Sequence, residues 1–277
     1  MSGLSGHLQL RAEAREDGRT VLAGQATRSP YHISKPYWDE AAGTLIVQVV
    51  NATAGILAGD RLECKVLVEP GAALLVTAPS ASRVFRMGEG SSAECSQQFT
   101  VARGGWLEVM PEPLVPHRGC RYRQSTRLEV AERAGLFFAD LLLPGRTAHG
   151  ESWEWDRLCL ETEVFLAGEL VLRERFDQAG PGLRSLAEWT GSGETACFGN
   201  ALLLPGEVDE ASLAAALARV SALHRYGVQV GVSALRRGGW SIKFVAPDGL
   251  RLRETLQAIR CELAAACSRL AADARKL

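Results

Sequence analysis

Apolar and polar residues alternate singly along much of the first two thirds of the chain. In RLECKVLVE, Leu62, Cys64, Val66 and Val68 are set among Glu63, Lys65 and Glu69. This is the period of two that a half-buried strand requires. AECSQQFTV repeats it with Cys95, Gln97, Phe99 and Val101, and YRQSTRLEV repeats it from Tyr122 to Val130. One apolar and one wet face predict antiparallel pairing. Strand signals dominate residues 7–176.

A faint internal repeat runs through the same region. VLVEPGAALLV, FTVARGGWLEV and LEVAERAGLFF share an order: an apolar arm, a turn with glycine, a second apolar arm. FLAGELVLRE is a weaker fourth copy. Gly71, Gly105, Gly135 and Gly168 recur at intervals of about thirty residues, within the range of repeat architectures. Read as hairpins, these units cannot bury their apolar faces singly, whereas a stack shares one core. A helical stack of sheets and an ordinary antiparallel sandwich both satisfy this pattern.

Gly180-Pro181-Gly182 marks a change of period. EVDEASLAAALARVSALHRYG places Leu213, Leu217, Val220 and Leu223 on one stripe and predicts a helix capped at Gly227. VQVGVSALRRGGWSIKFVAP reads as a hairpin around Arg237-Gly238-Gly239. From Asp248, the residues Leu252, Leu256, Ile259, Leu263 and Leu270 predict a second amphipathic helix. The expected fold is mostly β, with stacked antiparallel or helical sheets and a small C-terminal α/β portion containing two main helices. With no low-complexity linker, residues 1–277 are expected to form one domain, 181–277 packing on 7–176.

Composition narrows the function. The 31 basic and 32 acidic residues leave a formal net charge of −1, which supports neither nucleic-acid nor anionic-membrane binding. The N-terminal stretch lacks a signal-peptide core and no apolar run reaches membrane-spanning length, so a cytoplasmic location is expected. The 7 cysteines form no CxxC pair and read as buried hydrophobes. The 5 histidines are equally dispersed. A structural metal site would show tighter ligand spacing, so no tight metal site and no bound cofactor are expected.

The familiar catalytic motifs fail on inspection. NATAGILAGD carries Gly55 and Gly59 but follows them with Asp60, whose charge would repel phosphate where a P-loop places lysine. Gly88-Glu89-Gly90-Ser91-Ser92-Ala93 matches a loose dinucleotide fingerprint, yet a strand pattern follows where a helix is needed. Neither G-x-S-x-G nor H-E-x-x-H occurs. The remaining polar signal is carboxylates near glycines: Asp60, Glu63, Asp140 ahead of Pro144-Gly145-Arg146, and Glu151 after Gly150. On residue types alone, turn formation is the better account of such pairs, because Asp and Gly are common turn formers. Trp153 and Trp155 share a face, a pattern that more often marks core packing than a carbohydrate platform.

Taken in order, several stretches resemble the family of the urease accessory protein UreD, also called UreH. NATAGILAGDRL, with Gly55 and Gly59, is similar to its glycine-rich stretch. The run Thr77-Ala78-Pro79-Ser80-Ala81-Ser82-Arg83-Val84-Phe85-Arg86 is similar to a following family segment. Met110-Pro111-Glu112-Pro113 and Gly145-Arg146-Thr147-Ala148-His149-Gly150-Glu151 match later ones. The resemblance covers most of residues 20–265. Ala54, Ala78-Pro79, Arg83 and Phe85 depart from the family pattern.

The resemblance implies a mostly β fold and a non-enzymatic task. It implies a complex with UreF and the GTPase UreG, docked on apo-urease, that passes Ni²⁺ through an internal polar passage. Imidazole and thiolate hold nickel strongly, whereas carboxylates and water hold it loosely, as transit requires. The passage carboxylates so implied are Asp60, Glu63, Asp140, Glu151 and Glu174. That role predicts that Asp60→Asn folds normally. A hydrolase on a β scaffold and a β-rich ligand-binding module are the alternatives.

Overall fold

The structure, a computed structural model, describes residues 3–273. The chain opens with β1 (Ser5–Ala14) and β2 (Thr20–Arg28), then short β3 (Tyr31–Ile33) and β4 (Tyr37–Asp39), then β5 (Thr44–Asn51). Successive coils follow. One holds β6 (Arg61–Val68), β7 (Ala73–Thr77) and β8 (Ser82–Val84). The next holds β9 (Ala93–Val101), β10 (Trp106–Met110) and β11 (Leu114–Pro116), and a further one β12 (Arg121–Val130) and β13 (Gly135–Leu142). A hairpin of β14 (Arg157–Leu166) and β15 (Glu169–Gln178) precedes α1 (Gly180–Trp189) and β16 (Cys197–Pro205). The chain continues through α2 (Glu210–Ser221), β17 (Gln229–Ala234), β18 (Trp240–Ala246) and α3 (Gly249–Ala264) to a 3-10 turn, Ser268–Ala271.

Strand accounts for 47% of the chain against 17% helix, so the expectation of a mostly β fold holds. Its antiparallel pairing holds only in part, in pairs such as β1 with β2 and β13 with β16. A 7-stranded sheet runs β15-β14-β12-β9-β6-β1-β2, and an 11-stranded sheet runs β17-β18-β16-β13-β10-β7-β5-β3 with short strands attached. Within the first, β1, β6, β9, β12 and β14 pair in parallel. Within the second, β5, β7, β10 and β13 do the same. The repeated units are therefore not hairpins. Their two arms enter opposite sheets, and each pairs with the equivalent arm of the next coil, as in a β-solenoid. Only the fourth unit, in β14 and β15, folds back on itself.

The alternation misled for a physical reason. Parallel sheets usually have both faces covered because their crossovers are helices. Here the crossover is a strand of the facing sheet, so the outer face of the first sheet stays wet. Its strands alternate, as in the eBiBeBiB burial of β6. The second sheet has the solenoid interior on one face and helices on much of the other. Its strands β7, β10 and β13 are accordingly buried along almost their whole length, on both faces.

The turns between arms are equivalent in a way the glycine spacing obscured. Each closes with a backbone hydrogen bond, Ala72 to Glu69, Gly105 to Ala102 and Ala134 to Ala131. The left-handed residue is Gly71 (φ 73°), Gly104 (φ 71°) and Arg133 (φ 64°). Gly135 answers to a different need, since a Cβ there would sit 2.2 Å from the Trp106 ring.

The described residues contain three α-helices where two were expected, the additional one being α1. α2 ends at Ser221, so Leu223 lies beyond it, and Gly227 (φ 79°) belongs to the turn before β17 and not to a helix cap. The predicted hairpin is present as β17 and β18. β16, unexpected, pairs antiparallel with β13 and β18, so the C-terminal segment extends the second sheet. α3 starts at an Asp248 cap and buries Leu252, Leu256, Ile259 and Leu263, as its apolar spacing predicts. Beneath it Arg260 donates to Glu108 on β10 and to the Ala272 carbonyl, a fully buried ion pair clamping the C-terminal segment to the sheet. Residues 1–2 and 274–277 of the expected 1–277 domain lie outside the described residues. Among the described residues no helix is long and apolar enough to cross a membrane.

Candidate functional site

The space between the two sheets holds two apolar clusters. One is centred on Phe99, Val109, Leu128, Phe138, Val164 and Leu202. The other contains Cys95, Tyr122, Leu142, Leu158, Trp153 and Trp155, with Leu160, Phe176 and Phe198 packed against it. Between them β9, β12, β13, β14, β15, β16 and β18 each place a polar residue where the alternation points inward. On the first sheet, strand register aligns Gln97 with Thr126, Thr126 with Thr162, and Thr162 with Glu174. On the facing sheet it aligns Asp140 with Asn200 and Asn200 with Lys243. A polar belt thus crosses an otherwise apolar sandwich.

The belt borders a cavity of about 1050 Å³ lined by Gln97, Gln124, Asp140, Thr162, Glu174, Asn200 and Lys243, among others. Glu174 meets the Lys243 ammonium at 2.6 Å across the two sheets. Lys243 also donates to Asn200 Oδ1 at 3.4 Å, and Thr126 donates to Gln97 Oε1 at 3.1 Å. Asp140 faces the cavity half-buried. Burial, and then the charge of Glu174, push its carboxyl up to about 7. Oxygen donors of this kind, with room for water, suit a hard or borderline divalent cation held loosely. Among the described residues no three His, Cys, Asp or Glu side chains converge on a metal-sized site.

The structure therefore brings Asp140 and Glu174 together and places the other expected carboxylates apart from the cavity lining. Asp60 is 2% exposed, and its two oxygens accept the backbone N–H groups of Leu4 at 2.9 Å and Leu57 at 2.8 Å. It thereby ties the N-terminal segment to the 55–60 loop. Glu63 lies on the outer face of β6, paired with Lys65 at 2.6 Å and His7 at 3.0 Å, which lower its pKa. Glu151 forms a two-pronged pair with Arg146, at 2.9 and 2.5 Å, and this pair holds its carboxyl below the usual range.

The motif glycines and their neighbours build loops around the coils. Gly55 (φ 150°) stacks under β8, where a Cβ would lie 2.5 Å from the Arg83 carbonyl. Gly59 lies against Gly3, and Gly145 against the Glu151 backbone. Gly150 closes the 3-10 turn that the Arg146–Glu151 pair spans. Thr77 donates to the Met110 carbonyl at 3.0 Å, and Ser82 lines the cavity. Arg83 and Arg86 are exposed. Trp153 and Trp155 are 0% and 1% exposed and pack edge to face at 5.4 Å, so neither offers a sugar platform.

Sequence reasoning missed Gln97, Thr162, Asn200 and Lys243. A usable signal was present: Asn200 stands alone in CFGNALLLP, as Asp140 does in GLFFADLL. A lone polar residue in a buried strand is costly unless it has partners or water.

Fold and site define a β-solenoid-like scaffold whose core is divided by a water-accessible polar belt, a construction suited to conducting or holding a small polar species. The UreD urease accessory protein family profile matches residues 4–276. The chain is 61% identical to the urease accessory protein UreD of Opitutus terrae, over 99% of both chains. It is 30% identical to that of Photorhabdus laumondii over 83% of this chain and 71% of the relative. Similarity to the Yersinia enterocolitica protein, 40%, covers 53% of this chain and 45% of the relative. The chain belongs to the UreD family of urease accessory proteins.

Proposed function

We propose that this chain is a non-enzymatic cytoplasmic maturation factor that, with UreF and the GTPase UreG, docks on apo-urease and passes Ni²⁺ to it through the polar belt. The belt itself carries this reading. Two apolar clusters that would pack against each other are instead held apart by Asp140, Glu174, Thr162 and Asn200 around a cavity of about 1050 Å³. Burying such groups dry would cost several kcal/mol each, so the layer is wet and is kept for a purpose other than stability.

Within the belt, Asp140 and Glu174 are the stepping points. Their charge attracts a divalent ion, and their spacing among hydroxyls, amides and water keeps any one residence short. Asp60, Glu63 and Glu151 join the route only if it continues past the belt. Nickel is cargo here and not a resident cofactor.

The test is reconstitution with UreF, UreG and apo-urease at limiting nickel, using Asp140→Asn combined with Glu174→Gln. Urease activation should fall clearly while pull-down of the complex is unchanged. Full activation by the double variant would refute the passage.

A further inference from the structure

We propose that Lys243 is a specificity-determining residue of the belt, a tethered cation that occupies the seat at Glu174 and yields it to divalent but not to monovalent ions. This inference rests on the passage reading and concerns the regulation of the same site. It stands on three observations. The Lys243 ammonium lies 2.6 Å from Glu174 and 3.4 Å from Asn200, so it sits on the oxygens a passing ion would use. The contact spans the two sheets next to the cavity, in line with Asp140 across the strands. The lysine side chain is 58% exposed, so its ion pair is exchangeable and the ammonium has water to withdraw into.

The selection follows from charge. A potassium or sodium ion carries the same charge as the ammonium and competes against a group covalently held at high local concentration. A divalent ion doubles the attraction to Glu174 and also gains from Asp140 nearby. Monovalent ions, abundant in any cell, are kept off the carboxylate without a tight metal site being built. When the divalent ion leaves, the ammonium returns and neutralises Glu174.

Calorimetric titration of Ni²⁺ into the full chain tests this, in choline chloride and in potassium chloride at equal ionic strength. Lys243→Gln should bind Ni²⁺ about three- to tenfold more tightly than wild type in choline chloride, the range expected for removing a partly exposed competing charge. Potassium should erase part of that gain, while leaving wild type and Lys243→Arg unaffected. Adding Glu174→Gln to Lys243→Gln should abolish the gain, which locates the binding. Melting temperatures check that the variants are folded. Equal Ni²⁺ binding by wild type and Lys243→Gln, or a gain indifferent to potassium, would overturn the inference. The readout requires no urease, so failure of the passage in reconstitution and failure of ion selection in titration are separate results.

Discussion

Replacing Asp140 by asparagine should stabilise the protein at neutral and alkaline pH while impairing nickel delivery. Burial and the Glu174 charge raise this carboxyl from its ordinary 3.8 to about 7. Well below the ordinary value of 3.8 both folded and unfolded chains hold the proton, and Asp140 costs nothing. As pH rises further the unfolded chain releases the proton while the folded chain keeps it. Stability therefore falls with rising pH until the folded carboxyl also ionises near 7. The full span is at most about 4 kcal/mol. Water in the cavity screens the charge, so about 1–3 kcal/mol is the expected size. Asparagine has no proton to lose and keeps the shape. Its advantage over wild type should grow by up to about 2 kcal/mol between about pH 5 and pH 8, or roughly 4 °C in melting temperature. Urea denaturation of both proteins at the two pH values measures this. A difference that does not change with pH, or an asparagine variant less stable at pH 8, would refute the argument. A gain in stability joined to a loss of activation is the mark of a residue kept for function.

The other consequences concern what holds the scaffold together. Arg260→Ala leaves the Glu108 carboxyl buried in a dry interface without its partner, which should cost about 3–5 kcal/mol and be visible as a fall in melting temperature. Replacing both residues by leucine should recover most of it, because an apolar pair of similar volume removes the buried charge as well. Asp60→Asn should lower stability by about 1–3 kcal/mol and speed amide exchange at Leu4 or Leu57, since one of those N–H groups would face an amide NH₂. This reverses the expectation of normal folding drawn from the sequence, which did not show that both oxygens are already engaged. Leu256→Asp, at a side chain 2% exposed beneath α3, should cost several kcal/mol and lower the soluble yield.

Local residue order determined a good deal. The period of two in RLECKVLVE and YRQSTRLEV, the Asp248 cap with its leucine stripe, and the Arg237-Gly238-Gly239 turn each specify an element through contacts within a few residues, and these elements formed. The repeated arm–turn–arm units were legible too, as was the family through the order of its motifs. What the units do with their arms was not. A strand that alternates once per residue reports a wet face and a dry one, and is silent about whether its neighbour runs parallel. That choice belongs to the turn at Gly71, Gly104 and Arg133, which sends the next arm into the facing sheet. The site divides in the same way. Asp140 and Glu174 could be named from the sequence and from family resemblance, but Lys243, Asn200, Thr162 and Gln97 acquire meaning only when strands up to about 150 residues apart align their inward positions. Asp60 shows the converse, for a carboxylate beside a glycine looks free in the sequence and is saturated by two backbone amides in the fold. Short-range periodicity is written in the chain because it depends on neighbours in sequence. Which polar groups share water, and which cancel one another, depends on neighbours in space, and only the closed sandwich decides those.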